Sequence, residues 1–201
     1  MPSSFEAPPL PFRTFRTLAG VDEVGRGPLA GSVVAAAVIL PAGFDETGLA
    51  DSKTLSAAKR EKLADRLMRE AQIGLASVPA LVIDSINIRQ ASLLAMRRAV
   101  AALPHAPDAV LVDGRDVPPG LPCPAAAFIK GDGRFAAIAA ASIIAKVARD
   151  RMMTKAEDFF PGYGFSQHMG YPTKTHRHQI EKQGLSPLHR RSFGSCRAPS
   201  S

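Results

Sequence analysis

Asp22 and Glu23 stand side by side in "LAGVDEVGRG", Asp113 precedes the last glycine of "AVLVDG", and Asp132 falls in "AAFIKGDG". Each follows an apolar stretch and lies beside or close to a glycine, which is how acids arrive at the rim of a sheet, where ligands of open α/β sheets bind. Carboxylates gathered there repel and raise one another's pKa unless a cation neutralises them. Hard oxygen donors suit Mg²⁺ or Mn²⁺ better than zinc. Two such ions ~3.5–4 Å apart are a device for hydrolysing phosphodiesters. Gly25-Arg26-Gly27 follows the paired acids at once: glycine lets a backbone come close, and a guanidinium forks onto phosphate. Taken singly, Asp-Gly at 113–114 and 132–133 is ordinary turn chemistry, and Asp132 could cap a helix, so the chemical reading rests on the group. Neighbours on a strand point to opposite faces. Asp22 and Glu23 therefore share a metal only if the strand ends or bulges near Gly25 and Gly27, or if the Glu23 carbonyl is the ligand.

The elements that must position these residues are legible as patterns. "SVVAAAVIL" (32–40) is an apolar, β-branched run of the kind that forms a buried strand, and "LAGVDEV" is its hairpin partner. Ser56 to Glu70 predicts a helix, capped by Ser56, with Leu63, Ala64, Leu67 and Met68 as its apolar stripe. "IGLASV" predicts a strand, and Asn87 with Gln90 a capping box that opens a helix through Leu94, Met96 and Val100. Strands are expected over 109–114 and 126–133, then an Ala-rich helix from Phe135 to about Lys155. A hairpin followed by alternating strands and helices gives an α/β fold, a mixed sheet with helices on its faces. Residues 1–17, rich in Pro, Ser and Arg without periodicity, predict a flexible basic N-terminal tail, so the fold starts near Leu18.

The 201 residues fit one domain, and 46% hydrophobic content is enough for a core. A net charge of +7 favours a polyanionic partner such as nucleic acid. No run approaches a membrane span and the first residues lack the apolar middle of a signal peptide, so a cytoplasmic, reduced setting is expected. Cys123 and Cys196 are far apart without CxxC spacing, which points to free thiols. His176 and His178 form an HxH, but two residues apart on a helix the rings diverge, so these histidines, with His168 and His189, are read as phosphate-contacting or structural rather than metal-binding.

The motifs "GVDEVGRGPLAG", "LADSKTLS", "NIRQASLLAMRRAV", "VLVDGR", "FIKGDGRFAAIAAASIIAKVARD", "YGFSQHMGYPTKTH" and "HRRSF", in that order, resemble the bacterial ribonuclease HII (type 2 ribonuclease H) family from Leu18 to about Ala198. The resemblance implies a ribonuclease H-like five-stranded mixed sheet flanked by helices, forming a catalytic domain over 18–198 with a C-terminal helical extension from about 156. It implies a metal-dependent endoribonuclease with two divalent ions, Mn²⁺ or Mg²⁺, held by Asp22, Glu23, Asp113 and Asp132. Cleavage would fall on the 5′ side of a ribonucleotide in duplex DNA or an RNA–DNA hybrid, leaving 3′-hydroxyl and 5′-phosphate ends. Gly25, Arg26 and Gly27 would sense the 2′-hydroxyl, the group that distinguishes RNA from DNA at a given site, and Tyr163 would stack on the sugar at the junction. Lys53, Lys146, Arg190 and Arg191 are candidate phosphate contacts. The expected partner is nucleic acid, with no membrane and the chain acting as a monomer. Met169 departs from the family, whose members often carry Lys there, and removes one positive charge. Residues 1–17 are too short for the extra N-terminal domain of the type 3 relatives. Two other readings exist: a junction resolvase on the same fold, separated by its cleavage of all-DNA junctions, and a non-catalytic binder, which would show salt-sensitive binding without cleavage.

Overall fold

In the computed structural model, which describes residues 5–49, 52 and 55–196, five strands form one mixed sheet in the order β3-β2-β1-β4-β5. The strands are β1 (Leu18–Val24), β2 (Val33–Ile39), β3 (Gln72–Val78), β4 (Ala109–Asp113) and β5 (Ala125–Phe128). β1 pairs antiparallel with β2 and parallel with β4. The two acid-bearing strands β1 and β4 therefore end at the same rim.

β2 is buried along its whole length because helices cover both of its faces. Val33, Ala35, Ala37 and Ile39 pack with α2 (Ala80–Ala101), whereas Ala36 and Val38 pack with α1 (Ala57–Glu70) and α3 (Ala136–Phe159). The period-2 division of one run of small apolar residues makes both cores. α3 lies so close to β1 that a Cβ on Gly20 would sit 2.1 Å from the Ala137 carbonyl carbon. Glycine at 20 and the alanines of α3 are what allow this helix to lie directly behind the strand that carries Asp22.

Ser56 caps α1 as expected, accepting from the Lys59 N–H at 3.4 Å, and Ala64 and Leu67 are buried; Met68 of the expected stripe is half exposed. α2 starts seven residues before Asn87. The N-cap half of the expected capping box holds for its second segment: Asn87 leaves helical geometry (φ 65°) and its Oδ1 accepts from the Gln90 N–H at 3.1 Å. β5 stops at Phe128, short of the expected 133, because Lys130 takes a left-handed conformation and Gly131–Gly133 forms a 3-10 turn. α3 runs on to Phe159, past the anticipated boundary near 156, before α4 (Phe165–His168) and α5 (Lys174–Gln183) make the C-terminal helical extension.

The segment expected to be a flexible tail is fastened over its described part, 5–17. Glu6 grips Arg134 with both carboxylate oxygens (3.0 and 2.8 Å), and its N–H donates to the Arg134 carbonyl at 2.7 Å. Phe12 packs on the cluster of Leu111, Phe135 and Ile138. Asp108 accepts the N–H groups of Arg16 and Thr17. Its phenylalanines explain the difference together with the Glu6–Arg134 pair: Phe5 and Phe12 have an apolar surface to cover.

Candidate active site

At the shared rim a cleft of about 300 Å³ is lined by Asp22, Glu23, Asp113, Ser52, Ser142, Lys146, Tyr171 and the Gly25-Arg26-Gly27 loop. β1 keeps its regular pairing through Asp22 and Glu23, so no bulge is needed. Parallel pairing with β4 ends at Val21 opposite Val112, and the acids follow immediately beyond it. Asp22 points to the α3 side, where Ser142 also lines the cleft, while Glu23 also borders a recess beside α2 with Ser92 and Met96. Asp113 lines both spaces. The cleft wraps around the strand end, which reconciles strand alternation with a common site.

Burial drives the Asp22 carboxyl well above the usual carboxylate range, and the neighbouring Glu23 and Asp113 push it the same way. Burial raises Glu23 too, against the pull of Arg26, whose Nη1 lies 3.2 Å from its Oε1. Mutual repulsion among oxygen-only donors is what a hard divalent cation relieves, so these residues fit one. Among the described residues no three His, Cys, Asp or Glu side chains are already drawn into a closed metal-binding set; the carboxylates line an open cleft.

Asp132 is the fourth of the expected acids. It is buried in the Gly131–Gly133 turn and does not line the cleft, but Gly131 in that turn donates its N–H to Asp113 Oδ1 at 2.7 Å. Three acids thus face the cleft directly, and the fourth is carried on a turn tied to one of them.

The Gly25–Gly31 loop is held from beneath by two buried arginines. Arg190 donates to the carbonyls of Gly25 (2.5 Å), Arg26 (2.9 Å) and Gly31 (3.0 and 2.8 Å). Arg149, on α3, donates to those of Ser32 (3.1 Å), Ala30 (3.1 Å) and Met169 (2.9 Å). Gly25 sits at φ +94°, and a Cβ there would meet Arg149 Nε at 2.2 Å. Arg190 therefore makes no phosphate contact, contrary to expectation: it is fully buried, and burial together with the nearby Arg149 charge lowers its pKa to about 9, leaving it charged at neutral pH. Arg191 is exposed, with its backbone N–H on Asp84. Lys146 reaches the cleft, paired to Asp150 at 2.8 Å. Lys53 lies outside the described residues.

Tyr163 does not offer its ring to a sugar. It is buried, stacked on Phe165 at 5.2 Å, and its hydroxyl donates to the Gly184 carbonyl at 3.0 Å. The tyrosine at the cleft is Tyr171, 39% exposed, whose Cε1 lies 3.7 Å from where a Gly27 Cβ would be. "HMGYPTKTH" contains it, and the two tyrosines stand only eight residues apart, so neither composition nor periodicity separates the cleft ring from the core ring.

His168, His176 and His189 cluster in the C-terminal extension as a structural group, with His176 buried and His178, two residues on, exposed. Burial and the neighbouring His176 depress His189 from 6.5 to about 4, and burial also lowers His176. Between these values the unfolded chain binds protons that the folded chain refuses, so this contribution is complete above about pH 6.5 and is lost as pH falls. A shift of that size corresponds to about 3 kcal/mol by pH 4. Urea melts from pH 7.5 to 4.5 should show the loss, read as the difference between wild type and His189→Asn, because Asp22 and Glu23 act in the opposite sense.

The sheet order and helix placement are those of ribonuclease H enzymes. The chain superposes on the crystal structure of the ribonuclease H2 from Pyrococcus horikoshii with a TM-score of 0.76 at 28% identity, covering 90% of this chain and 95% of that one. A structure of Bst-RNase HIII in complex with Mn²⁺ shares the fold at a TM-score of 0.70 and 18% identity, over 90% of this chain and 68% of that one. The Ribonuclease HII family model matches residues 19–196. A curated Ribonuclease HII of Ruegeria pomeroyi is 57% identical over 176 residues, 88% of this chain and 75% of that protein. The chain belongs to the ribonuclease HII family. Among the described residues no helix is long and apolar enough to cross a membrane.

Proposed function

We propose that this cleft hydrolyses the phosphodiester on the 5′ side of a ribonucleotide embedded in duplex DNA or in an RNA–DNA hybrid, leaving 3′-hydroxyl and 5′-phosphate ends. The observation that carries the reading is the convergence of Asp22, Glu23 and Asp113 on one cleft beside the Gly25-Arg26-Gly27 loop. Those acids, with Asp132 on the adjoining turn, would hold two divalent ions, Mg²⁺ or Mn²⁺. When bound, such ions supply an activated water and charge neutralisation at the leaving oxygen. The protein's own part is to place the substrate. Arg26, Lys146 and Arg191 receive phosphates, and the 25–27 backbone approaches the 2′-hydroxyl. Tyr171 offers the ring to the sugar, the role expected of Tyr163.

Gly27 supports the reading in its own right. Its backbone does not need glycine, and an added Cβ would make only ordinary contact with Tyr171. The fold does not require the missing Cβ at this cleft-facing position, whereas a substrate pressed against the backbone does.

The test is cleavage of three duplexes with and without divalent metal: DNA with one ribonucleotide, an RNA–DNA hybrid, and an all-DNA junction. Nicking of the first at its 5′ side, only with metal, is expected. Gly27→Ala should melt within about 1 °C of wild type, as surface changes usually do, yet cleave at least tenfold more slowly. Cleavage of the all-DNA junction alone would overturn the proposal, as would metal-independent nicking.

A further inference from the structure

The loop that carries Gly27 and the turn that carries Tyr171 meet at the cleft, and they are joined behind it by two histidines. His189 belongs to a short backbone ladder against the chain just after the glycine loop: Ala30 bridges His189, Gly31 N–H donates to the Leu188 carbonyl at 2.9 Å, and Arg190 N–H to the Leu29 carbonyl at 2.8 Å. The Ser186 N–H donates to His189 Nδ1 at 2.9 Å, so that nitrogen is an acceptor and the neutral ring carries its proton on Nε2. That proton points at His176 Nε2, 3.1 Å away. His176 is thereby left with its proton on Nδ1, which donates to the Tyr171 carbonyl at 2.9 Å. Each tautomer follows from the backbone group at the start of the chain.

Among the described residues the Tyr171 carbonyl takes one other hydrogen bond, from the Thr173 N–H at 2.8 Å. The turn before it is left-handed at Met169 (φ 51°) and Gly170 (φ 79°), and is tied to the same region by Leu29 N–H on the Gly170 carbonyl at 2.8 Å. His168 stacks on His176 at 4.3 Å and accepts the Gly170 N–H on Nδ1 at 3.2 Å. Phe165 packs edge-on against His176 and His168. Rings and backbone groups surround the pair, and burial keeps both imidazoles neutral at working pH.

We infer that His176 and His189 are positioning residues which set the distance between the glycine loop and the Tyr171 ring, and so govern how tightly the cleft grips a ribonucleotide. The inference rests on the reading of Tyr171 as the ring at the sugar. It predicts a binding effect that passes through Tyr171 and nowhere else.

The experiment measures anisotropy of a fluorescent DNA duplex with one ribonucleotide, in EDTA so that nothing is cut, with melting curves alongside. Tyr171→Ala should weaken binding about tenfold, the scale of one lost aromatic stack. His176→Ala should weaken it roughly fivefold, and Tyr171→Ala/His176→Ala should bind no worse than Tyr171→Ala alone, since coupled residues are not additive. Multiplying losses in the double variant would overturn the inference. So would wild-type binding by a folded His176→Ala while Tyr171→Ala is impaired. If Tyr171→Ala itself binds normally, the reading of Tyr171 fails and the inference with it. Should His176→Ala not fold, His176→Asn, whose amide can still donate to the Tyr171 carbonyl, must recover most of the binding that His176→Gln loses; equal loss in both overturns the inference.

Discussion

Asp113→Asn is expected to cut metal-dependent nicking roughly a thousandfold, about 4 kcal/mol of barrier, while leaving the melting temperature at or slightly above that of wild type. Asp113, like Glu23, lines both the main cleft and the recess beside α2. Its Oδ1 also accepts the Gly131 N–H at 2.7 Å, and in this way it ties down the turn that carries Asp132. Asparagine can keep that hydrogen bond through its amide oxygen and so preserve the turn. It cannot keep the charge, and the charge is what a divalent ion needs. Removing it also relieves Asp22, whose carboxyl is pushed upward partly by Asp113, so the folded state gains rather than loses. Asp113→Ala should lose activity equally and stability as well, because the Gly131 N–H is then left without its acceptor. Nicking rates, melting curves and Mn²⁺ titration calorimetry on both variants check the division of labour. An Asp113→Asn chain that nicks at the wild-type rate would remove Asp113 from the chemistry altogether.

Much of this is legible in the sequence, and what is not has a common physical origin. Pattern reading finds β1, β2, β3, β4, α1 and α3 because each is either a continuous apolar run or buries a periodic face, and both are local properties. It finds Asp22, Glu23 and Asp113 because acids at the ends of apolar strands are rare enough to be noticed. It fails where burial is decided by distant segments. Arg190 reads as a surface cation until the carbonyls of Gly25, Arg26 and Gly31 are seen to surround it. Tyr171 and not Tyr163 lines the cleft because a partner 21 residues along, the Gly184 carbonyl, takes the Tyr163 hydroxyl into the interior. Residues 5–17 lack a pattern of their own, yet Phe12 finds a cluster assembled from β4 and α3. Arg149 could have been suspected: an arginine that falls two residues after Val147, on the apolar stripe of the helix, must either reach solvent or find acceptors, and here it finds three carbonyls.

Arg190 carries the second large effect, and its sign separates a loop clamp from a phosphate contact. Its guanidinium is fully buried and its hydrogen bonds reach three carbonyl oxygens of the glycine loop. Arg190→Met fills much of the volume but leaves those oxygens without donors, and at ~1–3 kcal/mol for each buried unsatisfied group the loss is at least about 3 kcal/mol. For a domain of this size that lowers the melting temperature by roughly 10 °C. Arg190→Lys keeps the charge, yet a single ammonium lacks the planar fork that spans the three oxygens, so an intermediate loss is expected. In both variants the 25–27 backbone is released, and cleavage measured well below the melting temperature should fall more than tenfold. The salt dependence of duplex binding should be unchanged, because Arg190 touches no phosphate. Arg191→Ala is the contrasting control: exposed and next in sequence, it should melt like wild type and lower the salt slope by about one counterion. If instead Arg190→Met melted normally and it alone reduced the salt slope, the guanidinium would belong to the nucleic acid, and the glycine loop would have to be held by Arg149 alone.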